Sequence, residues 1–438
     1  MFRTLTRPTP QTIQISILAL VAGMLLGFHL LTVFALAERP ASTDFLKFHA
    51  SVQLWQKGQN IYDPVVDQTV EQTVEQTGDT TVGAGELSVD GPTEDVDQPL
   101  HGNLNPPFFT LLLLPLGWLS FQDAFRLWSL LSLAVGLATV WQIARRAHPS
   151  SITYPLLGSV LLLAYYPTLS TVALGQVSLF LLGFLYLIWI NAQAGNERTA
   201  GILLGLAASI KIYLGLFFLF FLLLRRWRLV SWAILALFLS QLVALFVFGA
   251  DTFWIYAQLF GTVTWFAEPR NASIMGFMTR LLGGSTADPL LQLPGMAFGL
   301  TYLLSGLLLA VWAGLVVREN HASTQGKSET FDLLFGLSIV VMILISPLGW
   351  IYYFVLLFIP FSTVVKMGME QGSRWLLGLA GVTWLLSTIP TTLNFPTTPA
   401  LLRIFLPAGF YLTALLLLAV LLIRLIVLAL RNTGQSLS

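Results

Sequence analysis

Long apolar segments separated by short polar connections restrict the possible folds of this chain more than any other feature. They cover residues 13–37, 124–144, 152–168, 176–192, 229–249, 296–317, 331–346, 350–367, 375–390 and 404–423. An α-helix needs about 20 apolar residues to cross a bilayer, and all its backbone hydrogen bonds are internal. Only 10% of the residues are charged, against roughly 25% in soluble proteins. The sequence therefore predicts an all-α, polytopic integral membrane protein.

We expect about 10–12 transmembrane helices, with short or re-entrant helices and an interfacial amphipathic helix. Together they would form a single membrane domain over residues 1–438. The first apolar segment ends in Ala35-Leu36-Ala37, which imitates a signal-peptidase site. Its length of about 25 residues exceeds the roughly 7–15 residues of a signal-peptide core. We therefore interpret this segment as a retained span.

The Lys and Arg residues are distributed unequally between the two sides that these spans define. With the N-terminus inside, twice as many fall in cytoplasmic loops as in outer loops, whereas most Asp and Glu fall outside. This asymmetry follows the positive-inside rule and places both termini in the cytoplasm. We expect a multi-pass plasma-membrane protein whose largest outer loops are residues 38–123 and 250–295.

Two apolar segments do not fit simple spans. Residues 106–119 are short for a crossing and begin with Pro106-Pro107, which favours a re-entrant or interfacial helix. Residues 199–224 carry Lys211 near their middle and are followed by the cluster Arg225–Arg228. If both ends are cytoplasmic, this segment is a broken V of two half-helices with the lysine near its apex. Such breaks are tolerated at membrane depth only beside protein or a polar cavity.

The first outer loop begins with a predicted interfacial helix that places an acid near the membrane edge. Apolar residues at helical spacing define one face of this stretch: Phe45, Phe48, Val52 and Trp55. Ser42 or Thr43 can cap the helix and Gly58 can end it. Asp44 lies at its start, where the carboxylate could be a helix cap or an active-site acid.

The same loop contains an acidic insert at residues 65–99, with many Asp and Glu and no Lys or Arg. Its carboxylates could suggest calcium binding, but the Asp-x-Asp-x-Asp-Gly ligand pattern does not occur. A disordered, self-repelling tether is the favoured interpretation. The chain has no cysteine, so disulfides, thiolate chemistry and cysteine-ligated metal are excluded.

The composition also narrows the function. A net charge of +1, with basic residues at loop ends, argues against bulk nucleic-acid binding. The sequence contains no phosphate-binding Gly-rich loop, no His-Glu-x-x-His and no Gly-x-Ser-x-Gly. An outer-face site has no access to cytosolic nucleotide, so a reaction there needs an activated group that crosses the membrane. A polyprenyl-phosphate-linked sugar is such a group.

Transfer of that sugar needs a base for the acceptor hydroxyl and cations for the departing lipid phosphate. Asp44 is placed for the first role, on the outer side. The candidates for the second role are Lys211, Arg270, Arg280 and Arg403. Lys211 could alternatively snorkel, and the arginines could be interfacial anchors.

Three further polar positions have structural alternatives. Gln176 could bond the free backbone near Pro167. Tyr352 and its neighbour Tyr353 could belong to the aromatic belt of the membrane interface. His49 lies in the predicted helix and is expected to be an interface residue more often than a base.

An ordered series of short motifs resembles the polyprenol-phosphate-mannose-dependent mannosyltransferases of glycosyltransferase family 87. The motifs are Asp44-Phe45, Leu54, Gly58, Ile61-Tyr62-Asp63-Pro64, Asn105-Pro106-Pro107-Phe108, Trp128, Gly175-Gln176-Val177-Ser178, Lys211-Ile212, Arg225–Arg228, Asn271-Ala272-Ser273 and Arg280. The resemblance covers residues 40–285 well. It implies a GT-C fold, an outer-face active site, an inverting mechanism and Asp44 as general base.

Two departures from the family pattern affect the substrate contacts. The family usually has tyrosine before the proline pair, where this chain has Asn105. It commonly has histidines near the donor phosphate, where this chain has Tyr352 and Tyr353. A tyrosine hydroxyl can still donate a hydrogen bond to phosphate, but it brings no charge.

The sequence thus predicts a membrane glycosyltransferase that transfers a hexose, with mannose as first candidate, from a polyprenyl-phosphate donor to a lipid or glycan acceptor. Asp44 would be catalytic, without metal or cofactor, and membrane lipids would be further partners. The residues expected to bind donor phosphate or substrate are Lys211, Arg270, Asn271, Ser273, Arg280, Gln176, Arg403 and Tyr352.

Two other functions stay open at this point. A secondary transporter or lipid flippase also uses broken helices and intramembrane lysines. Against it, the chain shows no paired interrupted segments in corresponding halves. A glycan polymerase or ligase that uses a polyprenyl-diphosphate donor is the other alternative.

Overall fold

The computed structural model describes residues 9–63, 103–283, 291–322, 329–390 and 408–435. Within these ranges the regular elements are all helices, apart from one antiparallel bridge between Asn271 and Trp350. The predicted insert at residues 65–99 and the candidate Arg403 lie outside the described residues.

The α-helices are α1 (Pro10–Ala37), α2 (Phe45–Gln56), α3 (Pro107–Leu113), α4 (Phe121–Ala147), α5 (Thr153–Leu163), α6 (Tyr166–Leu174), α7 (Ser178–Gln193), α8 (Glu197–Ile210), α9 (Leu216–Leu223), α10 (Trp227–Phe248), α11 (Ala250–Leu259), α12 (Ile274–Leu282), α13 (Pro294–Ala322), α14 (Glu329–Ile345), α15 (Phe358–Glu370), α16 (Arg374–Leu386) and α17 (Ala408–Gln435). Short 3-10 helices cover Pro40–Ser42, Leu114–Trp118, Ile212–Gly215, Phe260–Thr262 and Ile351–Leu357.

Among the described residues, 6 helical segments are long and apolar enough to cross a membrane, or up to 7 if one bent pair counts as a span. They are Pro10–Ala37, Phe121–Ala147, Trp227–Phe248, Pro294–Glu319, Ile351–Glu370 and Ala408–Val427. The prediction of an all-α polytopic membrane protein is confirmed. The segments predicted at 176–192 and 375–390 are the shorter helices α7 and α16.

The bent pair is formed by α5 and α6, which meet at an angle of 61°. Tyr165 between them has an extended backbone, and Pro167 lies in the first turn of α6. Proline lacks the amide hydrogen that would continue the first helix, and it is readily accepted at the start of the second. The predicted apolar segments ended at residue 168 and resumed at residue 176; in the structure the helix α6 covers Tyr166–Leu174 between them.

The helices α8 and α10 pack side by side and run in the same direction. A Cβ on Gly201 would lie 2.4 Å from the carbonyl oxygen of Leu229, and one on Gly205 would lie 2.3 Å from that of Ala233. The two glycines are one turn apart, so they form a continuous strip without side chains on which α10 lies. Such small-residue strips allow close backbone approach between membrane helices.

Because α8 and α10 run parallel, the connection between them must return across the bundle. The helix breaks at Lys211, whose backbone is extended (φ −141°, ψ 115°). After a 3-10 turn, α9 leads back to Arg226, which lies within electrostatic reach of Glu197 at the start of α8. The broken, re-entrant form predicted for residues 199–224 is therefore present, with Lys211 at the turning point.

The predicted helix after the first span is present as α2. Phe45, Phe48 and Val52 are buried, whereas Trp55 is 37% exposed. The helix ends before Gly58, which has the left-handed conformation (φ 75°) that glycine adopts without strain. The predicted cap at Ser42 or Thr43 is wrong, because Asp44 occupies the N-cap position.

Helix α3 begins at Pro107, the second residue of the proline pair, as predicted, and continues into a 3-10 turn that packs against α2. A Cβ on Gly117 in this turn would lie 2.3 Å from a methyl carbon of Val52, so only glycine fits there. His49 of α2 lies 3.4 Å from the carbonyl oxygen of Leu119, and burial lowers its pKa. This histidine therefore supports the packing of α2 on its neighbour.

The described chain stops at Asp63 and resumes at Asn103. A hydrogen bond joins the segments on the two sides of this gap. The Tyr62 hydroxyl donates to the carbonyl oxygen of Asn105 over 2.6 Å. The Tyr62 ring also stacks on Tyr256 of α11, with ring centroids 5.4 Å apart. The chain before the gap and the chain after it are thus fixed to the same part of the bundle.

Candidate active site

A cavity of about 660 Å³ lies at the end of the bundle where α2 begins. Polar side chains from distant parts of the chain line it: Asp44, Lys47, Asn103, Asn105, Gln176, Lys211, Glu268, Arg270, Ser346, Tyr352 and Tyr353. Five of the predicted site residues therefore line this same cavity: Asp44, Gln176, Lys211, Arg270 and Tyr352. The cavity contains both an acid and several cations, which is what transfer from a lipid phosphate requires.

Asp44 is directed into this cavity. Although it occupies the N-cap position of α2, its carboxylate makes no capping hydrogen bond. Instead, Oδ2 accepts a hydrogen bond of 2.7 Å from Nε2 of Gln176, and Oδ1 lies 3.6 Å from Nζ of Lys47. The side chain is 30% exposed, so a ligand in the cavity can reach it. The interpretation of this residue as a side-chain helix cap is wrong.

The position of Gln176 is set by the turn between α6 and α7. Gly175 has a left-handed backbone (φ 68°), and a Cβ there would lie 2.6 Å from Cβ of Phe45. Because Gly175 has no side chain, the turn packs closely on α2, and Gln176 lies next to Asp44. The sequence alternative, a bond from Gln176 to the free backbone near Pro167, is not the contact that the structure shows for its side-chain nitrogen.

Lys211 reaches the cavity because the helix breaks at this residue. Its Nζ lies 5.8 Å from the ring centroid of Tyr353, a cation–π contact, and it is within electrostatic reach of Asp44. The lysine is therefore presented by the backbone break itself.

Arg270 lies on the loop that precedes α12. Its Nε donates to Glu268 Oε1 over 2.9 Å, and its backbone carbonyl accepts from the amide of Ile351 over 3.1 Å. Burial alone would lower the pKa of Arg270, but the neighbouring Glu268 raises it overall, with a smaller contribution from Asp44. The guanidinium is therefore charged at any physiological pH.

Asn271 joins two loops behind the cavity wall. Its Nδ2 donates to the carbonyl oxygens of Phe266 (2.9 Å) and Pro347 (2.8 Å). Its Oδ1 accepts from the amide of Gly349 (2.9 Å) and from the hydroxyl of Ser273 (2.8 Å). Ser273 in turn caps α12. These two predicted site residues are fully buried and do not line the cavity; they hold the loops that do.

Replacing Asn271 by aspartate tests whether these hydrogen bonds hold the two loops together. The substitution keeps the size of the side chain but places a carboxylate against the carbonyl oxygens of Phe266 and Pro347. We expect the free energy of unfolding to fall by about 2–4 kcal/mol, measured as a lower thermal unfolding midpoint in detergent. Asn196→Asp, at an exposed helix start, is the matched control and should leave the midpoint unchanged. An unchanged midpoint in the Asn271→Asp variant would contradict this stabilising role of Asn271.

Arg280 lies in α12 and is also buried behind the wall. Its NH1 group donates to the carbonyl oxygens of Glu268 and Asn271, both over 2.9 Å. These two residues flank Arg270, so Arg280 supports the backbone that presents that cation. Burial lowers the pKa of Arg280 to about 10, which keeps it protonated at neutral pH. It does not line the cavity.

Aromatic side chains form the wall beside Lys211. Tyr352 and Tyr353 contact each other edge to face, with centroids 4.8 Å apart, and Trp350 stacks on Tyr352. Tyr213 contacts Tyr353 from the other side. Tyr352 and Tyr353 are therefore part of the cavity wall and not of a lipid-facing belt.

Several cavity residues were not among the predicted site residues. Lys47 follows Asp44 by three positions, so helical periodicity could have found it. Glu268 precedes Arg270 by two positions, a spacing that has no such signal. Asn103 and Asn105 pair with each other through Asn105 Nδ2 and Asn103 Oδ1 at 2.8 Å. Within the described parts of the chain, no group of three His, Cys, Asp or Glu residues is arranged to hold a metal ion.

Comparison with known proteins identifies the family. Residues 103–347, more than half of the chain, match glycosyltransferase family 87. The polyprenol-phosphate-mannose-dependent alpha-(1-2)-phosphatidylinositol pentamannoside mannosyltransferase of Mycolicibacterium smegmatis (strain ATCC 700084 / mc(2)155) is 28% identical over 306 residues, which are 66% of this chain and 69% of that protein. No solved structure matches the chain. The chain belongs to glycosyltransferase family 87 and is a multi-pass membrane glycosyltransferase.

Proposed function

We propose that the protein transfers a hexose, with mannose as first candidate, from a polyprenyl-phosphate donor to a hydroxyl of a lipid or glycan acceptor. The observation that carries this proposal is the placement of Asp44 in one cavity with Lys211 and Arg270. Both cations lie within electrostatic reach of the acid. The donor named for the mycobacterial relative, polyprenol-phosphate-mannose, supports the same substrate class.

In this mechanism Asp44 takes the proton of the acceptor hydroxyl as the oxygen attacks the anomeric carbon. The attack comes from the side opposite the phosphate, so the bond from the anomeric carbon to the phosphate oxygen breaks with inversion. The leaving group is polyprenyl phosphate, whose growing negative charge is stabilised by Lys211 and Arg270. A monophosphate met by two cations leaves without needing a metal ion or cofactor.

The apolar part of the cavity lining suits the hydrocarbon part of such a donor. It is formed by side chains from the return arm after Lys211, from residues 260–263, and from α13 and α14: Ile212, Leu216, Leu219, Phe260, Val263, Leu309, Met342 and Ile345. Ile212 is 63% exposed and Leu219 is 40% exposed. An apolar wall beside a pair of cations matches a phosphate joined to a polyprenyl chain.

We further propose that the cavity faces the outside of the plasma membrane and that both termini are cytoplasmic. The charge distribution along the bundle supports this orientation. Arg226 donates to the carbonyl oxygen of Ala192 at the end of α7, whereas Asp44 and Gln176 lie beside the start of α7. The cluster Arg225–Arg228 is therefore at the end of the bundle opposite Asp44, as the positive-inside rule requires.

The test is a transfer assay with purified protein in detergent, without nucleotide and without an ion gradient. Donors are polyprenyl monophosphates of mannose, glucose and galactose, with polyprenyl-diphosphate-mannose alongside, and the acceptor is a mannosylated glycolipid. We expect a product from the monophosphate of mannose and a new linkage of inverted configuration. Transfer from the diphosphate alone, or a product of retained configuration, would contradict the proposal.

A further inference from the structure

We propose that Gln176 is a positioning residue that orients the Asp44 carboxylate for proton transfer. The inference rests on the proposed function, because it assigns a task to a neighbour of the proposed base. Gln176 is separated from Asp44 by 132 positions in the sequence, and its side-chain nitrogen lies 2.7 Å from Oδ2 of the acid. The remaining oxygen, Oδ1, makes the longer contact of 3.6 Å to Nζ of Lys47.

This arrangement distinguishes the two carboxylate oxygens. Oδ2 is held by a charge-assisted hydrogen bond, which is short and directional. Oδ1 is left to accept the proton of a hydroxyl in the cavity. Since a carboxylate only accepts hydrogen bonds, the amide nitrogen of Gln176, and not its oxygen, must face Asp44.

Among the described residues, the side-chain amide of Gln176 has no partner other than Asp44 that would explain its burial. The side chain is only 4% exposed, and its Oε1 has no hydrogen-bond partner in the described part of the chain. Burying an unpaired amide oxygen is unfavourable, so packing alone does not account for glutamine at this position. The bond to Asp44 does account for it.

The backbone around Gln176 is fixed on both sides, as a positioning role requires. Its amide nitrogen donates to the carbonyl oxygen of Thr171 over 2.8 Å. The carbonyl of Gly175 accepts from the indole of Trp128 over 2.8 Å, and Gly175 contacts Phe45 of α2. The amide and the acid are therefore attached to elements that pack directly on each other.

The charged and titratable groups around Asp44 come from several separate elements. They are Lys47 on α2, Lys211 at the helix break, Arg270 with its partner Glu268 on the loop before α12, and Tyr352 and Tyr353. The position that directly contacts Oδ2 is held by a neutral amide. A carboxylate at this position would share a proton with Asp44, because two carboxylates at hydrogen-bond distance do not both ionise.

The test compares Gln176→Glu and Gln176→Leu with the wild-type protein by the pH dependence of kcat and by KM for the donor. For Gln176→Glu we expect the acid limb of the pH profile to move by about one pH unit or more towards higher pH, with activity recovering at alkaline pH. For Gln176→Leu we expect kcat to fall on the order of 10- to 100-fold, with donor KM unchanged. Both variants are checked for an unchanged thermal unfolding midpoint.

Gln53→Leu is the matched control. Gln53 lies on α2 and donates to the carbonyl oxygen of Gly117 over 3.2 Å, not to Asp44. The pH profile of the Gln53→Leu variant should therefore coincide with that of the wild type. A Gln176→Glu profile that coincides with the wild type, or a Gln176→Leu variant with normal kcat, overturns the positioning role. A wild-type protein that uses no polyprenyl-phosphate sugar would instead overturn the proposed function.

Discussion

Replacing Asp44 by asparagine is expected to abolish sugar transfer while leaving the fold intact. The substitution removes the proposed proton acceptor, and general-base catalysis contributes about 10²–10⁴-fold to such reactions. The hydrogen bond from Gln176 can persist, because asparagine keeps one carbonyl oxygen as acceptor. We therefore expect kcat to fall by that factor, with the thermal unfolding midpoint and the KM for the donor unchanged. Initial rates of product formation at saturating donor measure the effect.

Asp123→Asn provides the control for this experiment. Asp123 is 61% exposed in the first turn of α4, pairs with Arg126, and does not line the cavity. Removing its charge should lower the free energy of unfolding only slightly, since exposed ion pairs contribute at most about 1 kcal/mol. Normal turnover in Asp44→Asn would exclude this carboxylate as the base, however well the control behaves.

Replacing Lys211 by methionine is expected to weaken donor binding more than any other single change of a cation in the cavity. Methionine keeps the unbranched side chain but removes the charge that is proposed to stabilise the departing phosphate. A hydrogen bond to a charged group contributes roughly 1.5–3 kcal/mol, which corresponds to a loss of affinity of about 10- to 150-fold. Binding of polyprenyl-phosphate-mannose to the Asp44→Asn protein, with and without the lysine substitution, measures this loss without turnover.

Lys366→Met is the matched control for charge removal. Lys366 is 44% exposed and pairs with Glu370, at the end of the bundle that also contains Arg146. Its substitution should not change donor affinity. If Lys211→Met binds the donor as tightly as the wild type, the helix break serves the packing of the bundle and not the phosphate.

The elements that the sequence predicted correctly are those governed by local physics. The apolar spacing of Phe45, Phe48 and Val52 predicted α2, and Gly58 predicted its end. A lysine inside an apolar segment predicted the break at Lys211, because a charge at membrane depth is costly unless a polar cavity receives it. These signals need no knowledge of which segments are neighbours.

The contacts within the site could not be predicted, because they join segments that are distant in the sequence. Nothing local to Gln176 indicates that Asp44 will be its partner. Asn271 and Arg280 have the composition of substrate-binding residues, yet the structure turns both towards backbone carbonyls behind the wall. Whether a polar side chain faces a cavity or a loop behind it depends on tertiary packing, which the pattern of residue types does not contain.

The hydrogen bond between Tyr62 and Asn105 holds the chain before residue 64 and the chain after residue 102 together at one point of the bundle. The entropy of closing a loop between two such fixed points changes slowly with its length, by about 0.6 kcal/mol for each doubling. The length of chain between these two points could therefore change in evolution while the cavity kept its shape. For the same reason, this interval is a natural position for grafting an affinity handle or a fluorescent reporter onto this enzyme.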